Sequence, residues 1–555
     1  MLVVRPSAVS LALLAGLCFL SRSATTASNP SGCSSFSTRY NQNIEGVCVC
    51  TASDCDTISN GYLTLGANEL GIYQTSQAGD RLAYSISAIE SGLDADADLV
   101  VDTITRYQKI IGFGGSFTDS AAINVALMDA AVQQRIVDAY FSETGLQYTT
   151  GRVPIASTDF SESIFSYNPV VDDLEMKHFS IDVDKSPQSS KIDLIKRAIT
   201  TTRIAQRNLS LIATSWAPPA WMTTEYTAVN GKLKGEPGGP YWKALALYYS
   251  KFFDAYKAEG INFWAMTTQN EPVKQIAGKY WNSLRFDNFT ERDFIKKDLG
   301  PLMQQNHPEL KLIIMDDQKD MILKWTGALE DPEARKYVSG IGVHWYKNLD
   351  FVGKNMGNFA ELSTWQEANP DLFILATEAC GGYLIEPVGT GAGVKLLQPA
   401  TVWKRGEIYA RDIINDLANY AAGWTDWNLV LNTKGGPNWA DNNVDAPILV
   451  DEEGKQEFYK QPMYYVMGHF SKFLPPQSAR VSLATKAEST SALANVDRVA
   501  FFTPQNQIVL ILQNRDTTPK TVRVSLMFEN HHASITLPAN SLQTIIIGER
   551  VRPTC

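Results

Sequence analysis

From about residue 110 the chain alternates short apolar runs with longer stretches of helical periodicity, the pattern of repeated β-α units. Eight apolar runs are candidate strands: Ile110 to Ser116, Arg152 to Ser157, Leu211 to Trp216, Phe263 to Thr268, Leu312 to Asp316, Ile341 to Trp345, Phe373 to Thr377 and Gly423 to Asn428. Amphipathic stretches lie between them, such as Trp242-Lys243-Ala244-Leu245-Ala246-Leu247-Tyr248-Tyr249 continuing to Phe253 and Tyr256. Eight is the number that closes an α/β barrel. Residues 61–107 instead alternate in short pieces, as in Gly61-Tyr62-Leu63-Thr64-Leu65, with turn residues between them. That texture returns after about 477, in Gln507 to Leu512, Thr521 to Leu526, Ser534 to Leu537 and Thr544 to Ile547. The N-terminal β piece cannot bury its apolar face alone. It is expected to join the C-terminal strands in one sandwich that brackets the barrel.

Composition narrows the class. A chain of 555 residues suits one large domain plus a smaller one, and 44% apolar content argues against disorder. A net charge of -10 argues against nucleic acid as a partner. The N-terminus reads as a signal peptide, residues 1–24: Arg5, then the apolar run Val9 to Leu20, then small residues with Ala24 or Ala27 as cleavage edge. That run is too short to span a bilayer comfortably, and no second spanning run follows.

Cysteine usage fits secretion. Cys18 leaves with the signal, and Cys33, Cys48, Cys50 and Cys55 crowd the new N-terminus. Four cysteines allow three pairings, and two disulfides suit an oxidising compartment better than a zinc site without a nearby histidine. Cys380 and Cys555 are left over. Asn208 and Asn288 head two N-glycosylation sequons, Asn208-Leu209-Ser210 and Asn288-Phe289-Thr290. The six histidines are scattered, so neither a metal nor any cofactor is expected.

Two segments carry the chemistry. Phe263-Trp264-Ala265-Met266-Thr267-Thr268-Gln269-Asn270-Glu271-Pro272 and Phe373-Ile374-Leu375-Ala376-Thr377-Glu378-Ala379-Cys380 each read as a buried strand ending in one carboxylate. The C-terminal end of a barrel strand is the active-site face. Pro272 disfavours α geometry at Glu271 and ends its strand sharply. Two carboxylates brought together across the mouth are what glycoside hydrolysis requires, about 5–5.5 Å apart in a retaining enzyme. Glu378 is assigned as nucleophile and Glu271 as acid/base, although local physics alone does not distinguish them. Aromatic platforms and polar rims suit sugars. Trp216, Tyr280, Trp345, Tyr346, Trp427 and Trp439 follow strand ends, as do Asp159, His344 and Asn442. Asn270 can donate to a sugar hydroxyl, and Arg152 can hold a carboxylate in its charged state.

Several motifs, in order, resemble the lysosomal acid β-glucosidase (glucocerebrosidase) family over about residues 33–550. They are Phe113-Gly114-Gly115-Ser116-Phe117-Thr118-Asp119, Ser215-Trp216-Ala217-Pro218-Pro219-Ala220-Trp221, Asn270-Glu271-Pro272, His344-Trp345-Tyr346, Thr377-Glu378-Ala379-Cys380, Trp424-Thr425-Asp426-Trp427-Asn428 and Gly435-Gly436-Pro437-Asn438-Trp439. The resemblance implies Glu271 as acid/base and Glu378 as nucleophile. It implies sugar contacts from Asp159, Trp216, Asn270, Trp427 and Asn442, and a mobile mouth tyrosine, Tyr346, near the acid/base. It implies the disulfides Cys33–Cys48 and Cys50–Cys55. It further implies glucosylceramide as substrate, a lysosomal setting, and peripheral contact with anionic lipid aided by a saposin-type activator. The expected architecture is a (β/α)8 TIM barrel at 108–428 plus 461–476 and a β-sandwich at 60–107 plus 477–555. A small disulfide-bearing β region takes 31–57 plus 429–460. Two departures lie where the aglycone leaves: Asn282 replaces the family's second aromatic after Tyr280, and the loop Tyr346-Lys347-Asn348-Leu349-Asp350 is slightly longer. The rival readings are a related glycosidase acting on a β-glucoside, xylan or galactan, and a non-catalytic carbohydrate-binding protein.

Overall fold

Eight parallel strands close into a barrel. A computed structural model describes residues 33–548 except 67, 90–94, 274–280, 349, 352–353, 356–358, 385–389 and 527–531. The expected signal peptide, Tyr280 and Cys555 lie outside the described residues. The barrel strands are β1 (Gly112–Ser116), β2 (Thr150–Ile155), β3 (Ser210–Ser215), β4 (Ala265–Thr267), β5 (Lys311–Gln318), β6 (Val338–His344), β7 (Phe373–Glu378) and β8 (Ala421–Asp426). Each overlaps a run expected from the pattern. Neighbours pair in chain order and β8 returns to β1, with Gly423 opposite Gly112. That seam is tight: a Cβ on Gly423 would stand 2.0 Å from the Gly112 carbonyl oxygen.

The helix Pro240–Ala258 shows how local sequence sets an element. Proline opens it, where its missing N–H is no loss. Trp242, Leu245, Tyr249, Phe252 and Tyr256 are buried along one stripe. Gly260 ends it at φ +80°. Its N–H bonds to Lys257 O and that of Ile261 to Tyr256 O, at 2.9 Å each. This paired bonding is a glycine-terminated helix end, and it delivers the chain directly into β4.

Strands from both ends of the chain form one nine-stranded sheet that includes Glu69–Ser76, Ala97–Lys109, Ser541–Ile547 and Ile508–Asn514. Leu99, Leu510, Val522 and Ile545 bury into its own core. This is the expected sandwich. A smaller four-stranded sheet joins Cys48–Cys50 to Phe458–Lys460, Ile448–Val450 and Val430–Asn432. Cys33 is bonded to Cys48, and Cys50 to Cys55. Buried Asp56 ties this region down, accepting from Lys460 Nζ at 3.0 Å and from Tyr465 Oη at 2.8 Å.

The helix Pro462–Ser471 joins barrel to sandwich and is buried along its whole length. Its His469 bridges Thr544 Oγ1 and Thr75 Oγ1, both at 2.8 Å. Burial pushes the imidazole pKa down to about 3. The neutral ring therefore favours the fold above pH 6.5, its ordinary value. That contribution is lost as pH falls from there toward 3, by at most about 1.4 kcal/mol per pH unit. His469→Gln keeps a donor and an acceptor without the titration. Thermal melts are expected to show a smaller loss of Tm between pH 7 and pH 4 for this variant than for the wild type.

Candidate active site

Both strand-end glutamates reach one mouth. Glu378 is the last residue of β7, and Glu271 follows β4; each side chain is 7% exposed. One carboxylate oxygen of each lies within 4.8 Å of the other. Glu271 does not take the extended geometry expected before Pro272; its φ is +40°. Backbone bonds on both sides force this. Asn270 N donates to Ser215 O, and Glu271 N to Asp316 O, each at 2.9 Å. Left-handed backbone at a non-glycine residue costs about 1–3 kcal/mol and persists only when its surroundings over-determine it.

A second distortion lies in β5. The register shifts between Met315 and Asp317, and Met315 and Asp316 stand at φ +69° and +51°. This bulge directs the Asp316 carboxylate into the barrel. It accepts from Arg152 Nη2 at 2.7 Å, Thr267 Oγ1 at 2.8 Å, Thr377 Oγ1 at 2.6 Å and His344 Nε2 at 3.1 Å. Arg152, fully buried on β2, also donates to Asn270 Oδ1 at 2.9 Å and through Nη1 to Glu378 Oε2. Glu271 Oε1 accepts from Gln318 Nε2 at 2.8 Å and lies 3.1 Å from His344 Nδ1.

Electrostatics follow from these contacts. Burial opposes charge on His344, but Glu378 and Asp316 outweigh it and raise the imidazole pKa to about 10. The ring is therefore a cation that donates from both nitrogens. Burial also opposes charge on Asp316, and Arg152 and His344 outweigh it, holding that carboxyl well below its usual range. Asp317 goes the other way: burial, then the charge of Glu271, pushes it up to about 7.

The sugar-facing candidates are mostly gathered. Trp216 and Trp427 stack with centroids 4.8 Å apart, and the Arg152 guanidinium lies over both rings. Asn442 Nδ2 donates to Asp159 Oδ2 at 2.8 Å, and Trp439 Nε1 to Thr158 O at 2.7 Å. The Tyr346 hydroxyl donates to Glu378 Oε1 at 2.8 Å, because side chains alternate past the end of β6 and this one leans toward β7. Trp345 points the other way, its ring packed edge-on against Tyr409 and Trp424 at 5.0 and 6.0 Å. It sits in the layer between barrel and helices. Asn282 is buried and donates to Ser157 Oγ at 2.8 Å. Among the described residues, three-ligand groupings occur at Glu271, His344 and Glu378 and at Cys50, Cys55 and Asp56. In the second, both sulfurs are already in a disulfide.

The sequence reading missed Asp316, Asp317 and Gln318. A signal was present: a polar run, Asp316-Asp317-Gln318, closes the apolar run Leu312-Ile313-Ile314-Met315, the same strand-end pattern that singled out the two glutamates.

Residues 110–474 match the glycosyl hydrolase family 30 TIM-barrel domain, and residues 477–545 match the family's β-sandwich domain. A Caenorhabditis elegans protein named as a glucosylceramidase is 38% identical, with 97% of this chain and 99% of its own length covered. The lysosomal acid glucosylceramidase of Mus musculus is 37% identical, with 86% of this chain and 89% of its own covered. The crystal structure of SrfJ from Salmonella typhimurium superimposes with a TM-score of 0.76 at 25% identity, covering 87% of this chain and all of that one. The chain is therefore a glycoside hydrolase belonging to glycosyl hydrolase family 30.

Proposed function

We propose that this enzyme is a retaining β-glucosidase that cleaves glucosylceramide to glucose and ceramide. The observation that carries the reading is the closeness of the two carboxylates, within 4.8 Å at their nearest oxygens. That suits direct attack on the anomeric carbon, whereas an inverting pair stands about 6.5–9.5 Å apart to admit water. Glucosylceramidase relatives that span nearly the whole chain support the substrate.

Glu378 is the nucleophile. Arg152 and Tyr346 each donate to one of its oxygens, which fixes the carboxylate's orientation for attack. Glu271 is the acid/base. Its Oε1 receives Gln318 and faces the His344 cation, so the proton it carries belongs on Oε2. Glu378 attacks C1 as Glu271 protonates the glycosidic oxygen, and ceramide leaves. Glu271 then takes a proton from water, which attacks C1 and frees glucose and Glu378. Trp216 and Trp427 supply apolar faces for the sugar ring, and Asn270, Asp159 and Asn442 bind its hydroxyls. His344 acts through Glu271 and Asp316.

The working site is a lumenal, acidic compartment, the lysosome, at an anionic lipid surface and with a saposin-type activator. Exposed apolar side chains on the segments that follow the strands at the mouth support lipid contact: Tyr226 after β3, Phe289 on the helix Asn288–Phe294 after β4, Leu323 after β5 and Leu384 after β7, each 41–62% exposed.

Incubated with glucosylceramide in anionic vesicles at about pH 5, the protein is expected to release glucose. It should turn over aryl β-glucosides and leave xylo-oligosaccharides intact. Proton NMR should show β-glucose as the first product; α-glucose first would exclude retention. Glu378→Gln should lose at least about a thousandfold in kcat. Glu271→Gln should keep the first step on an aryl glucoside with a good leaving group and accumulate glycosyl-enzyme, seen as a mass increment on the Glu378 peptide.

The pH profile should be a bell with an acidic optimum. Below about pH 7 Asp317 is neutral; above it, Asp317 ionises beside Glu271. Asp317→Asn is thus expected to leave the kcat/KM profile unmoved below about pH 7, where Asp317 is already neutral, and to change it only above that pH. A profile displaced at about pH 5–6 would show Asp317 to be charged there.

A further inference from the structure

A cavity of about 1380 Å³ opens beneath the barrel, at the end remote from Glu271 and Glu378. Its roof is the N-terminal edge of the strands, where Trp264 precedes β4 and Phe373 begins β7, and its opposite wall includes Gln477 and Gln507. Trp264 and Phe373 stack with centroids 5.5 Å apart and are each only half-buried. Leu63 and Ile204 on the rim are 59% and 78% exposed. Aromatic and aliphatic faces beside amide side chains bind the C–H faces, hydroxyls and acetamido groups of an oligosaccharide. Three acidic side chains, Glu143, Glu367 and Asp371, and four basic ones, among them Arg207 and Lys472, line the same cavity, so its charge does not select an ionic ligand.

Asn208 lines this cavity, is exposed, and heads the sequon Asn208-Leu209-Ser210. We infer that the cavity holds the protein's own N-linked glycan, attached at Asn208. The attachment point is rigid. Arg207 Nη1 donates to Ser471 O and Nη2 to Lys472 O, each at 2.9 Å. Ser210 N donates to Thr149 O at 2.8 Å. Trp264 N donates to Leu211 O at 2.9 Å, which sets the indole one strand away from the sequon. A glycan leaving Asn208 meets this aromatic wall with its first residues and covers the rim. The other sequon differs: Asn288 opens a helix, is partly buried, and its Oδ1 accepts from Gly327 N at 3.0 Å. The two disulfides belong to the oxidising compartment in which such transfer occurs. In the transfer a bond forms between Asn208 Nδ2 and C1 of an oligosaccharide carried on a polyprenyl diphosphate. The bond from C1 to the diphosphate breaks, the amide loses one proton, and the lipid diphosphate leaves.

The test uses the full chain secreted from a eukaryotic host that attaches mannose-rich glycans. Enzymatic deglycosylation in heavy-oxygen water, followed by peptide mass spectrometry, should mark Asn208 as occupied. On the folded protein, endoglycosidase release at Asn208 should run at least tenfold slower than on the unfolded chain, and Trp264→Ala should restore the fast rate. Because that variant alters the barrel floor, a second comparison keeps wild-type packing. Hydrogen exchange at residues 262–266 and 505–507 should be at least about fivefold slower in the glycosylated wild type than in Ser210→Ala. An unmodified Asn208 overturns the inference. So does a glycan released at the unfolded-chain rate with exchange unchanged. Neither result bears on the Glu271 and Glu378 chemistry at the other end of the barrel.

Discussion

The catalytic end of the barrel depends on one buried carboxylate. Asp316 receives groups from β2, β4, β6 and β7 while sitting on β5. Through Arg152 it is linked to Glu378, and through His344 to Glu271. Charge balance explains why such a cluster is tolerated without solvent. Arg152 and His344 supply two cations. With Glu271 protonated, Asp316 and Glu378 supply two anions. The buried site is then neutral in the protonation state that the proposed mechanism needs. Removing one partner of a buried pair strands the other charge, at about 3–5 kcal/mol.

Backbone distortion serves that balance. Glu271, Met315 and Asp316 all stand at positive φ although none is glycine. Regular strands alternate their side chains, so an undistorted β5 could not direct Asp316 inward while holding Asp317 and Gln318 near Glu271. The bulge at Met315–Asp317 breaks the alternation. The bonds that converge on Asp316 and Glu271 offset its strain.

The two ends of the barrel divide the work. The lower layer is apolar, with Ile212, Ala265, Ile313 and Leu375 packed inside and Trp264 and Phe373 beneath. The upper layer is polar, and part of it comes from outside the barrel. The small sheet built on Cys48–Cys50 holds Val430–Asn432, which leads into the loop carrying Trp439 and Asn442 to Asp159. The N-terminal disulfide region thus supports a wall of the mouth from a distance. The sandwich is anchored through the helix Pro462–Ser471, whose His469 bonds strands from both ends of the chain.

The barrel was legible because its signals are local. Apolar runs such as Phe373 to Thr377 need both faces buried, and Pro240 and Gly260 bound a helix whatever surrounds it. Glu271 and Glu378 were legible for the same reason, each standing where an apolar run stops. Contacts between distant segments decided the rest. Nothing local in Asp316 distinguishes it from Asp317, yet one is held charged by Arg152 and His344 while the other is pushed toward neutrality by burial and Glu271. The alternation past β6 likewise set His344 and Tyr346 among the carboxylates and turned Trp345 into the helix layer. Periodicity records whether a side chain is buried; only the closed barrel determines which charges are buried beside it.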